Sequence, residues 1–144
     1  MRVKEWMSAS PATAEPKTSV SEAREVMRRK VIRHLLVTEG ERLVGIVTDR
    51  DIRLNLPSPA TSLSVWEINY LLTKLTVGDV MTKAVITVDP ERPTEEAARL
   101  MLEHRIGALP VVSDGQLAGI LTETDLLRAF VYSQSATVPV TARG

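Results

Sequence analysis

Apolar residues along this chain switch between two spacings. Val20, Ala23 and Met27 recur at helical intervals with charged residues between them, directly behind Ser19-Val20-Ser21-Glu22. That S-x-x-E tetrad has the form of a capping box, in which side chains satisfy the free amides of a helix start. The spacing predicts a helix. Downstream, Leu35-Leu36-Val37 and Leu43-Val44-Gly45-Ile46-Val47 are continuous apolar runs around the turn-prone Glu39-Gly40-Glu41, the pattern of two strands and a short turn. Runs without polar alternation point to a sheet covered on both faces. A short extended segment around Thr13 ends at Pro16. The order predicted is strand, helix, strand, strand, short helix.

The same order then repeats. Residues 3–53, moved forward by 74 positions, fall on residues 77–127 without a gap, and 15 of the 51 aligned pairs are identical. Thr94, Ala97 and Met101 repeat the helix, and Leu109-Pro110-Val111-Val112, Ser113-Asp114-Gly115-Gln116 and Leu117-Ala118-Gly119-Ile120-Leu121 repeat the two strands and their turn. Two copies are too few for a stacked solenoid. They suit a pseudo-two-fold pair, and since about fifty residues are marginal alone, the copies are expected to share a core. Repeat 1 is assigned to residues 1–56, a linker to 57–76, repeat 2 to 77–131 and a loose tail to 132–144. Within the linker, Pro57-Ser58-Pro59 breaks the preceding helix. Ser64-Val65-Trp66-Glu67 then opens a helix with Ile68, Leu71, Leu72 and Leu75 on one face.

Composition narrows the function classes. The 144 residues are 44% apolar and 25% charged, and 18 cationic side chains balance 18 acidic ones. Zero net charge gives no general field for nucleic acid. The absence of cysteine removes disulfides, thiol nucleophiles and thiolate metal sites. No signal-peptide stretch follows Met1 and no run spans a bilayer, so a cytoplasmic protein without membrane contact is expected.

The chemistry concentrates where each third strand ends. Gly45-Ile46-Val47-Thr48-Asp49-Arg50-Asp51 and Gly119-Ile120-Leu121-Thr122-Glu123-Thr124-Asp125 share the form G-h-h-T-x-x-D, with h apolar. The glycine permits close backbone approach. The threonine hydroxyl lies beside unpaired helix amides, where an anion is favoured. An aspartate one turn later accepts hydrogen bonds from vicinal hydroxyls. Phosphate on Thr48 or Thr122 with ribose on Asp51 or Asp125 would make one ligand. Thr48-x-x-Asp51 and Thr122-x-x-Asp125 equally satisfy the capping-box form, and the two roles are compatible.

Two βαββα units, each ending in G-h-h-T-x-x-D and each preceded by an L-x-V segment (Leu35-Leu36-Val37, Leu109-Pro110-Val111), resemble a CBS-domain pair, or Bateman module, over residues 1–131. The linker resembles that of bacterial CBS proteins of the acetoin-utilisation type, many of which carry a further ligand-sensing domain after the pair; a protein of this type without that domain is expected. The resemblance implies a mixed α/β fold, two pseudo-symmetric repeats packed as one module, and homodimers of such pairs. It implies a regulatory role: AMP, ADP, ATP or S-adenosylmethionine bound in the cleft between repeats, with a conformational signal to a regulated partner. It assigns phosphate to Thr48 and Thr122, ribose to Asp51 and Asp125, and the base to backbone around Thr13 and Thr87. Arg33 stands where nucleotide-binding relatives often place a phosphate-binding base, and Arg50 adds a cation. Gly107 and Thr124 replace them in the second copy, so the first site is expected to be the more cationic. His34 begins a strand beside Arg33. For all three, a plain solvated surface position is the alternative.

Catalysis finds no pattern. The two histidines are not equivalent by repeat, and no H-E-x-x-H, G-x-S-x-G or P-loop sequence occurs. His104 sits near a helix end, where a cation suits the dipole. Neither a catalytic cofactor nor a metal is expected. The competing reading is a structural module that dimerises and docks without nucleotide. Nucleic-acid binding through Arg24, Arg28, Arg29 and Arg33 is disfavoured by Glu22 and Glu25 on the same helix. The dimer contacts are expected around Ala23, Val26, Met27, Ala97, Leu100 and Met101.

Overall fold

Val3–Trp6 forms a single helical turn, α1, and it packs with the second repeat rather than with its own. The computed structural model describes residues 1–56 and 63–137; the expected break at Pro57-Ser58-Pro59 and residues 138–144 lie outside the described residues. The chain divides into two compact units, Pro11–Val85 and Met1–Ser10 with Ile86–Gly144. Each unit therefore takes its opening helix from the other repeat.

In the Pro11–Val85 unit, β1 (Thr13–Ala14) runs parallel to β2 (His34–Glu39), which pairs antiparallel with β3 (Arg42–Thr48). Between β1 and β2 lies α2 (Val20–Lys30), whose N-cap Ser19 accepts from the Glu22 amide as the S-x-x-E pattern predicts. Its last turn closes through Val31 in the left-handed region, at φ 53°. α3 (Asp49–Leu54) follows β3 directly. α4 (Val65–Lys74) begins with a complete Ser64/Glu67 capping box and packs on α2, with Leu72 buried and Ile68 and Leu75 against the core. The exchanged turn α5 (Val77–Val80) completes this core with Val77 and Val80.

The other unit repeats the plan with α6 (Thr94–His104), β4 (Ala108–Ser113), β5 (Gln116–Thr122) and α7 (Glu123–Thr137). Its counterpart of β1 shrinks to one parallel bridge, Val88 to Val111. Both antiparallel pairs shift register at the aligned positions Val37/Thr38 and Val111/Val112. Consecutive Leu35, Leu36 and Val37 are all buried, so this sheet is covered on both faces as the unbroken apolar run predicts.

The expected sharing of a core takes the form of exchange. One cluster joins Val20, Leu35, Val37, Val47 and Ile52 to Val77 and Val80; the other joins Val88, Leu109, Val111 and Leu121 to Val3. The exchanged segments then add to the sheets. Ile46 and Thr82 trade backbone hydrogen bonds of 3.0 and 2.9 Å, and the aligned Ser8 and Ile120 do the same at 2.9 and 3.0 Å. The motif glycines make this approach possible. A Cβ on Gly119 would strike the Ser8 carbonyl, and one on Gly45 would lie 3.0 Å from that of Thr82.

Two expectations change. The closing helix of repeat 2 is not short: α7 continues past Tyr132 to Thr137, where the sequence reading placed the start of a loose tail. Its last described turns hold no glycine or proline, and Ser133 donates to the Phe130 carbonyl at 3.0 Å. Ala23, Met27, Ala97 and Met101, expected at a dimer contact, are buried in the cores of their own units. Any contact through α2 or α6 must use their outer faces.

Candidate functional site

Each G-h-h-T-x-x-D motif is a strand that runs straight into a helix, and its threonine and aspartate close on each other. Thr48 is the N-cap of α3. Its amide and hydroxyl donate to Asp51 Oδ2 at 2.8 and 3.0 Å, while the Asp51 amide donates to Thr48 Oγ1 at 3.2 Å. Thr122 and Asp125 repeat all three bonds at 2.9, 3.1 and 3.4 Å. The capping reading is therefore realised at both motifs. The same geometry occurs at Thr76 and Asp79 opening α5, which has no strand and glycine before it. T-x-x-D alone is thus a cap, and what sets the two motifs apart is their place at a strand end in matched units.

The remaining carboxylate oxygen differs between the units. Asp51 Oδ1 accepts from Thr82 Oγ1 at 3.3 Å, a residue of the exchanged segment. Asp125 Oδ1 accepts instead from Arg128 Nη1 at 3.4 Å, one turn along α7. Asp125 is the more enclosed, its side chain only 9% exposed while that of Arg128 is 68% exposed. Sequence reasoning missed both partners. Thr82 aligns with Ser8, so a hydroxyl in both copies was visible. Arg128 aligns with Leu54, and only its i+3 spacing from Asp125 pointed to the pair.

The other expected site residues spread around this centre. His34 lies opposite Thr48 in the β2–β3 register, and Arg33 precedes it, exposed. Arg50 is exposed within α3, with no ion-pair partner among the described residues, while its neighbour Arg53 pairs with Asp49 at 3.0 Å. Thr13 is exposed on β1 opposite Leu36, and Thr87 is exposed beside Val88. In the second unit, the Gly107 carbonyl accepts from the Glu123 amide at 3.1 Å, so this position helps hold the start of α7. The expectation of a cation-poor second motif is incomplete, because Arg128 contributes a cation directly on its aspartate.

Elsewhere in the second unit a shallow depression of about 320 Å³ is lined by Pro93, Glu95, Glu96, Arg99, Leu100 and Glu103. It includes no motif residue, and its three carboxylates do not suit an anion. Among the described residues, no group of three His, Asp or Glu side chains is placed to hold a metal ion. None of the described helices is long and apolar enough to cross a membrane.

The comparisons agree with this architecture. The family model described as CBS domain matches residues 3–58 and again 77–132. Inosine-5′-monophosphate dehydrogenase of Korarchaeum cryptofilum is 39% identical over 126 residues, 87% of this chain, which spans only 23% of that enzyme's length. A Vibrio cholerae protein named for acetoin utilization (AcuB) matches with TM-score 0.78 at 27% identity, over 96% of this chain and 98% of its own. CBSX2, solved in complex with AMP, matches with TM-score 0.76 at 36% identity, over 91% and 97%. The CBS pair of MJ0100, solved with 5′-methylthioadenosine and S-adenosyl-L-methionine, matches with TM-score 0.75 at 30% identity, over 92% and 98%. With both repeats matched across nearly their whole length, the chain belongs to the CBS domain family and carries two copies of the domain in tandem.

Proposed function

We propose that this protein is a regulatory module without chemistry of its own, which binds adenine nucleotides or related adenosyl ligands at its two T-x-x-D motifs and signals to a partner. The observation that carries the reading is the placing of Asp51 and Asp125, held by Thr48 and Thr122 respectively at equivalent strand-to-helix junctions. It draws support from CBSX2 with AMP and from MJ0100 with adenosyl ligands. In this reading Asp51 and Asp125 accept the ribose hydroxyls. Thr48 and Thr122, with the amides beyond them, take phosphate. Arg33, Arg50 and His34 add donors in the first unit, and backbone near Thr13 and Thr87 meets the base. The protein works as a cytoplasmic homodimer.

The signal begins at Thr82. A diol on Asp51 competes for the oxygen that Thr82 now uses, and Thr82 is paired to Ile46 along the exchanged segment. Ligand therefore changes the bonding of a segment that the second repeat supplies. A ligand shifts an equilibrium only by its differential affinity for two states, and this hydrogen bond is where the difference arises.

A docking module without nucleotide has one observation in its favour. Leu127, Phe130 and Val131 are exposed on α7, as are Val65, Trp66 and Tyr70 on α4, more apolar surface than single scattered residues. Thermal unfolding with AMP, ADP, ATP and S-adenosylmethionine separates the readings. A ligand that binds only the folded state raises the midpoint as its concentration rises, whereas a pure docking module shows no shift with any of the four.

A further inference from the structure

Arg128 has no equivalent in the first repeat, where Leu54 stands, and it reaches back along α7 to the one Asp125 oxygen that Thr122 leaves free. Its guanidinium is mostly in solvent, whereas the carboxylate it meets is largely enclosed. The contact is long for an ion pair, 3.4 Å, and one nitrogen of a planar fork with five N–H donors is engaged. Such a group is poised to exchange partners. The enclosed carboxylate is held more closely by the Thr122 amide and hydroxyl, at 2.9 and 3.1 Å, than by this single long contact.

We infer that Arg128 is the charge-reading residue of the Thr122–Asp125 site and makes that site selective for ligands bearing a phosphate over the neutral nucleoside. The inference rests on the adenosyl reading above. A ribose diol on Asp125 takes the oxygen that Arg128 holds. The displaced guanidinium then lies beside a bound nucleotide, whose phosphate is the strongest acceptor within reach and matches its fork. With a neutral nucleoside no such acceptor arrives, so breaking the Arg128–Asp125 contact is an uncompensated cost. The same residue thus favours phosphate-bearing ligands and opposes neutral ones. Arg128 supplies in the second motif the positive charge that Gly107 and Thr124 do not.

The test is calorimetric titration of the full chain with AMP and with adenosine, in an Asp51→Ala background that leaves Asp125 as the remaining motif aspartate. Arg128→Leu, which installs the residue of the first repeat, is expected to weaken AMP about tenfold, as loss of one charge-assisted contact near solvent would. Adenosine should bind as before or more tightly. Arg128→Lys should recover part of the AMP affinity, which a loss of packing would not allow. An equal loss for both ligands, or no change in either, would overturn the role of Arg128 while leaving the adenosyl reading in place. Failure of both ligands to bind the folded Arg128 parent and the unmutated chain would overturn that reading itself and the inference with it.

Discussion

Thr82 donates its hydroxyl to Asp51 across 31 residues of sequence, from the segment that repeat 2 lends to the Pro11–Val85 unit. The bond ties the candidate ribose acceptor to the exchanged segment. Thr82→Val removes the competing donor while keeping the side chain's shape. AMP affinity at the Asp51 site is expected to rise roughly fivefold, about 1 kcal/mol, a modest gain because the bond to the carboxylate is long, at 3.3 Å, and exposed. A fall in affinity by calorimetry would show that the hydroxyl instead holds the carboxylate in place.

The motif glycines predict an order of stability losses. At Gly119 an added methyl meets the Ser8 carbonyl, which cannot retreat without losing its pair with Ile120. At Gly45 the nearest atom is the Met81 sulfur at 2.6 Å, the end of a flexible side chain. Gly119→Ala should cost about 1–3 kcal/mol, the range of overpacking, and Gly45→Ala less. Urea unfolding of both variants checks the order, and a reversed order would contradict it.

Val31 is 89% exposed and holds φ at 53°, where a β-branched side chain is strained. Its aligned partner Arg105 caps α6 at φ 54°. Val31→Gly relieves the strain but loosens the unfolded chain. The net gain expected is up to about 1 kcal/mol, read as a higher melting temperature. A lower one would show that the strain is absent.

Acid should loosen the exchange. Glu91 lies below its ordinary value of 4.5 chiefly because Lys4, and then Arg2, donate to it. Arg2 is the N-cap of the exchanged turn α1 and Lys4 lies within it. Asp79 lies below its ordinary 3.8 because the Thr76 amide and then its hydroxyl donate to it. A carboxylate with a depressed folded value stabilises the protein above its unfolded value and loses that contribution as pH falls through the folded one. Melting temperature should therefore hold above the ordinary carboxylate range and decline below it. Glu91→Gln should flatten part of that decline, and salt should mimic the variant by screening these exposed charges. An unchanged acid profile in Glu91→Gln would rule out the contribution.

Much of this architecture was legible in the sequence because it is written in local signals. Ser19, Thr48 and Ser64 cap helices where their tetrads say they should, and the in-register repeat paired Gly45 with Gly119 and Asp51 with Asp125. The exchange of opening turns was not legible. Four residues such as Val3–Trp6 carry too little periodicity to announce a helix, and the Ser8–Ile120 and Ile46–Thr82 pairings are long-range. The sole trace was a glycine inside an apolar strand, a mark of close backbone approach. The candidate site was legible in its threonine and aspartate and not in their second partners. Thr82 arrives through the exchange, and Arg128 breaks the repeat that guided the reading.

The central claim, that the T-x-x-D aspartates serve a ligand as well as a helix, is tested most directly by titrating AMP into the unmutated chain and into Asp51→Ala/Asp125→Ala. Each substitution removes part of a cap and is expected to cost about 1 kcal/mol, so both proteins are compared at a temperature where both are folded. The account predicts saturable binding to the unmutated chain and its loss in the double variant. Equal binding to both, or none to the folded unmutated chain, would contradict it and leave Asp51 and Asp125 as helix caps.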